Sequence, residues 1–461
     1  MRRMVRSASI LLLTLALSSA VAQARSATPS RQPAAQGTAS TPLRHIVVMS
    51  QEGHSFDNYF GHRAGVDGLP AGTCLPAPRG EPGPCVPPHP VSGSPHAKLR
   101  GTAAAQTESV DSGRMDGFVR AQAVHGSSGR VAMGYYPAQQ LPVLTGVADR
   151  GVVFDKWFAA VPGSAVANDL FGVAATSPAD VQQVPAKGWG DVPLIFDRLE
   201  DAGVSWRIYV ENYQPDLTIG AARSAQQRST GQVARVPALA TSGFVASPSL
   251  RAHVVDLSRY YDDLARGRLP AVSFIVSTQH TELAPRNPSI DQRLVGSVVN
   301  GLLSSSAWQQ SAFFLTYATS GGWYDHVPPP TIGGTRVGLR VPTVLLSPYV
   351  SAGTVNGTTY DSAAILKLIE QNWSLKPLTS RDWDAASLLP LFSFHADPAR
   401  PTLVGVAPSR PPVQQPGRSV LYIGYLCALL AALVCFSFVV FRRWPSGSAR
   451  ETIEGGRQDD A

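Results

Sequence analysis

Two short polar segments carry most of the side chains in this chain that could do chemistry. Gln51-Glu52-Gly53-His54-Ser55-Phe56-Asp57 places two carboxylates, an imidazole and a hydroxyl within seven positions. A carboxylate such as Glu52 can bind a hard or borderline metal ion, and His54 suits either a metal or a phosphoryl oxygen. Ser55 and Asp57 read more simply as caps of a following helix. The second segment, Tyr317-Ala318-Thr319-Ser320-Gly321-Gly322-Trp323-Tyr324-Asp325-His326, ends on an adjacent carboxylate and imidazole. Asp325 and His326 can ligate a metal or phosphate, or form a hydrogen-bonded pair that fixes the Gly321-Gly322 turn.

Both segments follow apolar runs with the β-branched, alternation-free pattern of strands buried on two faces: Ile46 to Met49 and Phe313 to Tyr317, with Ala271 to Val276 and Val341 to Leu346 as further examples. Helical patterns lie between them at Pro193 to Ala202, Arg293 to Leu303 and Ser362 to Trp373. Alternating strands and helices predict an α/β fold, a mostly parallel central sheet covered on both faces. In such sheets ligands bind beyond the carboxyl ends of the strands, where the two polar segments fall. The stretch from Asn212 to Pro248 has little pattern and is expected at the periphery, mobile or covering the site entrance.

Arg44 to Gly61, followed by Gly65-Val66-Asp67-Gly68, resembles the opening signature of the secreted bacterial phosphoesterase family that contains phospholipases C and acid phosphatases of the alkaline-phosphatase-like superfamily. Matching strings recur in order, among them Met115-Asp116-Gly117-Phe118, Asp155-Lys156-Trp157-Phe158, Ile195 to Glu200, Gly203 to Tyr209, Asp325-His326-Val327-Pro328-Pro329 and Arg340-Val341-Pro342. The resemblance implies an alkaline-phosphatase-like three-layer sandwich, a divalent metal and hydrolysis of phosphate esters. It assigns Glu52 and Asp325 to metal, His54 and Asn168 to substrate, and His326 to catalysis.

Several reactive positions of that family are replaced here. Its Glu-Asn-Arg reads Glu52-Gly53-His54 in this chain. Its nucleophile string Gly-Pro-Thr-x-Pro-Asn-Arg reads Gly163-Ser164-Ala165-Val166-Ala167-Asn168-Asp169, which puts Ala165 at the nucleophile and leaves Ser164 as the candidate stand-in. Its Asp-Glu pair after the strand is Ala318-Thr319, its Glu-His-Pro is Glu282-Leu283-Ala284, and its Tyr-Asp-His-Thr-Ser is Tyr360-Asp361-Ser362-Ala363-Ala364. Methyl and hydroxyl groups cannot replace metal-binding carboxylates.

The chain ends predict export and tethering. Arg2, Arg3 and Arg6, an apolar run from Ile10 to Leu17, and Ala22-Gln23-Ala24 make residues 1–24 a signal peptide. Residues 25–43 read as a flexible leader, 44–405 as the phosphoesterase-like domain and 406–418 as a Pro-rich stalk. The stretch 419–441 is uncharged from Val420 to Phe441, long enough for a transmembrane helix, and Arg442-Arg443 behind it place the tail 442–461 in the cytoplasm. The main domain is then extracellular. An oxidising exterior pairs Cys74 with Cys85. The net charge of +7 is scattered rather than clustered, which excludes nucleic acid as a partner.

Three functions remain open on the sequence. One is a membrane-tethered hydrolase of phospholipid head groups or small phosphomonoesters. The second is a catalytically degenerate relative that serves as a binding or structural surface protein. The third is chemistry relocated to His54, His280 and Glu282.

Overall fold

The computed structural model describes residues 37–405 apart from 79–82, 92–98, 124–127, 180, 283–287 and 396–401, and beyond these only Leu429. The expected signal peptide, stalk, membrane span and tail lie outside the described residues. Among the described residues no helix is long and apolar enough to cross a membrane.

Eight strands form the central sheet: β1 His45–Gln51, β2 Val152–Phe154, β3 Trp206–Val210, β4 Val254–Asp256, β5 Val272–Val276, β6 Ser311–Tyr317, β7 Val344–Leu346 and β8 Thr354–Asn356. Their spatial order is β8-β2-β7-β6-β1-β5-β3-β4. All run parallel except β7, which is antiparallel to both β6 and β2. Pro342 lacks the N–H that a ladder needs, so the expected run from Val341 pairs only from Val344 onward.

β1 and β6 are the long central strands, and every β6 residue is buried. In their register Gln51 lies beside Tyr317, and Ser50 beside Val276 of β5. The carboxyl ends of β1, β5 and β6 therefore open on one edge, which delivers Glu52 and Ala318 to the same place.

Seven helices matter for the site: α1 Phe56–Phe60, α2 Ala165–Ala174, α3 Ile195–Asp201, α4 Gln232–Arg235, α5 Ser258–Ala265, α6 Pro288–Leu303 and α7 Ala363–Trp373. On one face, Phe196 of α3 meets Phe274 of β5 edge-on, with ring centroids 5.3 Å apart. On the other, the Tyr209 hydroxyl donates to Asp263 of α5 at 2.8 Å, and the Tyr260 hydroxyl donates to the Val298 carbonyl of α6 at 3.1 Å. The three-layer arrangement of helix, sheet and helix follows the alternation in the sequence. Cys74 and Cys85 form the expected disulfide, with Cα atoms 5.5 Å apart.

Two boundaries differ from the sequence reading. The end of the expected flexible leader is docked, because Leu43 is fully buried and the Thr41 hydroxyl donates to Asn372 Oδ1 of α7 at 2.6 Å. Of the stretch from Asn212 to Pro248, the first half lies at the surface as expected, with Ala222 the one buried residue between 212 and 231, while the second half enters the core. It folds into helices too short to show a period, and Val233, Ala234, Arg235, Val236, Ala238 and Leu239 are all buried.

Candidate active site

The two strand-end loops pack backbone against backbone. Gly53 has φ +81° and Gly321 φ +67°, both in the left-handed region that favours glycine. A Cβ on Gly321 would lie 2.3 Å from the Gly53 carbonyl oxygen. The loops are further joined by Gly53 and His54 N–H groups donating to the Thr319 carbonyl at 3.0 and 3.1 Å. Gly53 stands where the resembling family has Asn, at a left-handed φ that glycine adopts without strain.

Glu52 leaves the end of β1 buried, and its partner is a cation that the sequence reading did not single out. Arg235 of α4 places Nη1 3.1 Å from Glu52 Oε1 and 2.5 Å from Asp169 Oδ2, while Nη2 donates to the Ser50 carbonyl at 2.9 Å. The three side chains are 1–5 % exposed. Burial, with the Glu52 charge adding to it, pushes the Asp169 carboxyl up to about 7 against the pull of Arg235. Arg235 and Asp169 line a cavity of about 80 Å³ between the sheet and the helices α2, α3 and α7, walled by Val48, Phe196, Ala318 and Ile365. Ala318 therefore presents a methyl group to this cavity.

A second ionic group lies at the start of α1. Asp57 Oδ2 accepts from the backbone N–H of His326 at 2.8 Å and meets the His326 ring Nδ1 at 2.7 Å. Arg340, fully buried, donates through Nη2 to Asp57 Oδ1 at 2.9 Å and through Nε to Asp325 Oδ1 at 2.8 Å. Its Nη1 donates to the carbonyls of Asp67 at 2.8 Å and Asp155 at 2.9 Å. His326 Nε2 lies 3.2 Å from Asp67 Oδ1. Burial pulls His326 toward the neutral form, but the Asp57 carboxylate outweighs it and the ring pKa is raised.

Asp57, Asp325 and His326 each offer one donor atom within 4.8 Å of the others, so by type and spacing they could hold a metal ion. Arg340 already pairs with Oδ1 of each carboxylate, so a divalent cation would have to bind through the oxygens that Arg340 leaves, beside His326. At Glu52 the fit is absent, because Arg235 occupies the carboxylate and the neighbouring positions carry Ala318 and Thr319.

The remaining predicted site residues lie in other contacts. Ser164 caps α2, its Oγ accepting from the Ala167 N–H at 3.0 Å and donating to the Val181 carbonyl. Asn168 binds its own loop, its side chain accepting from Val161 N–H at 2.9 Å and donating to the carbonyls of Val161 at 2.8 Å and Ser164 at 2.9 Å. His54 is buried against Tyr59, with ring centroids 4.1 Å apart, and its Nδ1 and Nε2 meet Asn58 Oδ1 at 2.6 Å and the Glu282 carbonyl at 2.8 Å. Burial lowers its pKa to about 4, against the pull of these two hydrogen bonds. Asp325 and His326 are thus brought together with Asp57, while Glu52 belongs to the Arg235 group.

Of the relocated set, Glu282 accepts from the hydroxyls of Tyr59 at 2.7 Å and Tyr317 at 2.9 Å. His280 instead meets Glu211, whose other oxygen accepts the backbone N–H groups of Thr278, Gln279 and His280 at 2.9–3.1 Å. Burial opposes the Glu211 charge, yet these hydrogen bonds hold its carboxyl below the usual range. Arg235 was legible only as a lone basic residue inside the apolar string Val233-Ala234-Arg235-Val236, whereas Arg340 stood in the family-like string Arg340-Val341-Pro342 without a role assigned to it.

The model of the Phosphoesterase family matches residues 43–376. The chain belongs to the Phosphoesterase family. Among family relatives it is 27% identical over 426 residues to non-specific phospholipase C6 of Arabidopsis thaliana, covering 80% of this chain and 76% of that protein. It is 26% identical over 440 residues to phospholipase C B of Mycobacterium tuberculosis, covering 79% and 80%. A solved alkaline phosphatase superfamily protein from Vibrio parahaemolyticus is similar at TM-score 0.37 and 10% identity, over 76% of this chain and 70% of that one. So weak a likeness adds nothing to the sheet topology. In this phosphoesterase-family chain Arg340 contacts Asp57, Asp325 and His326.

Proposed function

We propose that this phosphoesterase-family chain hydrolyses phosphate esters at the strand ends, on a small phosphoester or a phospholipid head group. The observation that carries the reading is the family match over the whole α/β domain, together with the cluster of Asp57, Asp325 and His326. Asp57 fixes the imidazole through its Nδ1, and the Nε2 edge faces Asp67, where a leaving oxygen would meet a proton donor. A divalent ion held by Asp57 and Asp325 would polarise a phosphoryl oxygen. Ser164 is the hydroxyl beside Ala165, and to attack phosphorus it would have to release the Val181 carbonyl.

The domain would act outside the cell, exported by residues 1–24 and anchored through 419–441. The Cys74–Cys85 disulfide supports an oxidising compartment.

A second reading, a non-catalytic binding protein on the same scaffold, is favoured by one observation: the candidate nucleophile Ser164 is committed to capping α2. Turnover of an aryl phosphate monoester and a choline phosphodiester by the full-length chain in detergent, with Mg, Mn, Ca and Zn, separates the two. The hydrolase reading predicts metal-dependent turnover that disappears in Ser164→Ala. Absence of turnover with every metal leaves the binding protein.

A further inference from the structure

We propose that Arg235 is a built-in cation that takes the place of a divalent ion at Glu52, so that Glu52 itself ligates no metal. The guanidinium is 1 % exposed and contacts Glu52, Asp169 and the Ser50 carbonyl at once. A buried guanidinium is retained only when its charge is matched, and these oxygens match it. A metal ion ligated by Glu52 would sit at 2.0–2.6 Å from its oxygen, roughly the space that Nη1 fills. Two positive charges would then share one small, water-poor volume, a costly arrangement at low effective dielectric.

The neighbouring side chains agree with this substitution. Ala318 lines the same cavity with a methyl group, so no second strand-end carboxylate is there to bring an ion in. Asp169 places a carboxyl group where the resembling family carries Arg, and Arg235 arrives from α4 to meet it at 2.5 Å. Arg235 also ties α4 to the end of β1 through Ser50.

The test is Mn2+ binding to the full-length chain in detergent after EDTA treatment, read by the electron paramagnetic resonance signal of free Mn2+. The readout does not depend on turnover. Glu52→Gln should leave the Mn2+ bound per chain unchanged. Arg235→Ala frees two carboxylates and should gain one Mn2+ per chain, and Arg235→Ala with Glu52→Gln should lose that gain. Arg235→Lys, which keeps the charge, should gain none. Loss of bound Mn2+ in Glu52→Gln alone would overturn the proposal, as would an Arg235→Ala protein with native near-ultraviolet dichroism and no added Mn2+. If Arg235→Ala does not fold, the Glu52→Gln comparison decides by itself.

Discussion

The Nε of Arg340 donates to Oδ1 of Asp325 at 2.8 Å, and neither side chain has any access to solvent. Arg340 also holds Asp57 at 2.9 Å, so one guanidinium compensates two buried carboxylates. Replacing it strands both charges. Arg340→Met should cost about 3–5 kcal/mol, seen as a lower urea midpoint of the domain, because breaking a buried pair leaves uncompensated charge. An unchanged midpoint would mean that Arg340 is not the hub of this group.

Glu282 provides a pH test outside that group. Burial raises its carboxyl from 4.5 to about 7, against the pull of the Tyr59 and Tyr317 hydroxyls. A folded-state pKa above the unfolded one gives stability that is complete below about pH 4.5 and is lost as pH rises through about 7. The wild-type urea midpoint should fall across that window by the equivalent of up to roughly 3 kcal/mol. Glu282→Gln, which keeps an acceptor for both hydroxyls, should flatten this part of the slope. Equal slopes would show that Glu282 is ionised in the fold.

Gly321→Ala should disrupt the meeting of the two strand-end loops, since its Cβ would lie 2.3 Å from the Gly53 carbonyl oxygen at φ +67°. A destabilisation of at least about 2 kcal/mol is expected, from backbone strain added to a clash with backbone that cannot swing away. Thermal unfolding of the variant gives the number. Gly334→Ala is a control for left-handed φ without the clash, because nothing lies within 4 Å of its added Cβ.

Cys74→Ser with Cys85→Ser opens a loop closed across a sequence separation of 11. By loop-closure entropy the loss should be roughly 3 kcal/mol. Thermal melts of oxidised and reduced wild type should differ in the same direction, and the double variant should show no such difference.

The fold was legible wherever a strand is buried on both faces. β1, β5 and β6 announce themselves as largely apolar runs without alternation, and their register then fixes which loops share an edge. β2, β4 and β8 have three residues each, too few to show a period. The site was legible as a list of polar residues and not as a set of partners. Asp325 and His326 sit side by side in sequence and meet the same Asp57, so their association could be read. Glu52 and Arg235 are brought together by a short helix in a stretch without pattern, and no local signal marks Arg235 as buried. Ser164 illustrates a further limit: a hydroxyl before a helix is suited both to capping and to nucleophilic attack, and only geometry shows that it caps α2.

The most direct measurement is turnover of a choline phosphodiester by the full-length chain and by His326→Gln, at saturating Mn2+ and neutral pH. If phosphate esters are hydrolysed beside Asp57, Asp325 and His326, the wild type turns over and the variant loses about 10²–10⁴-fold in kcat. A wild type without activity, or a variant as active as the wild type, would contradict it.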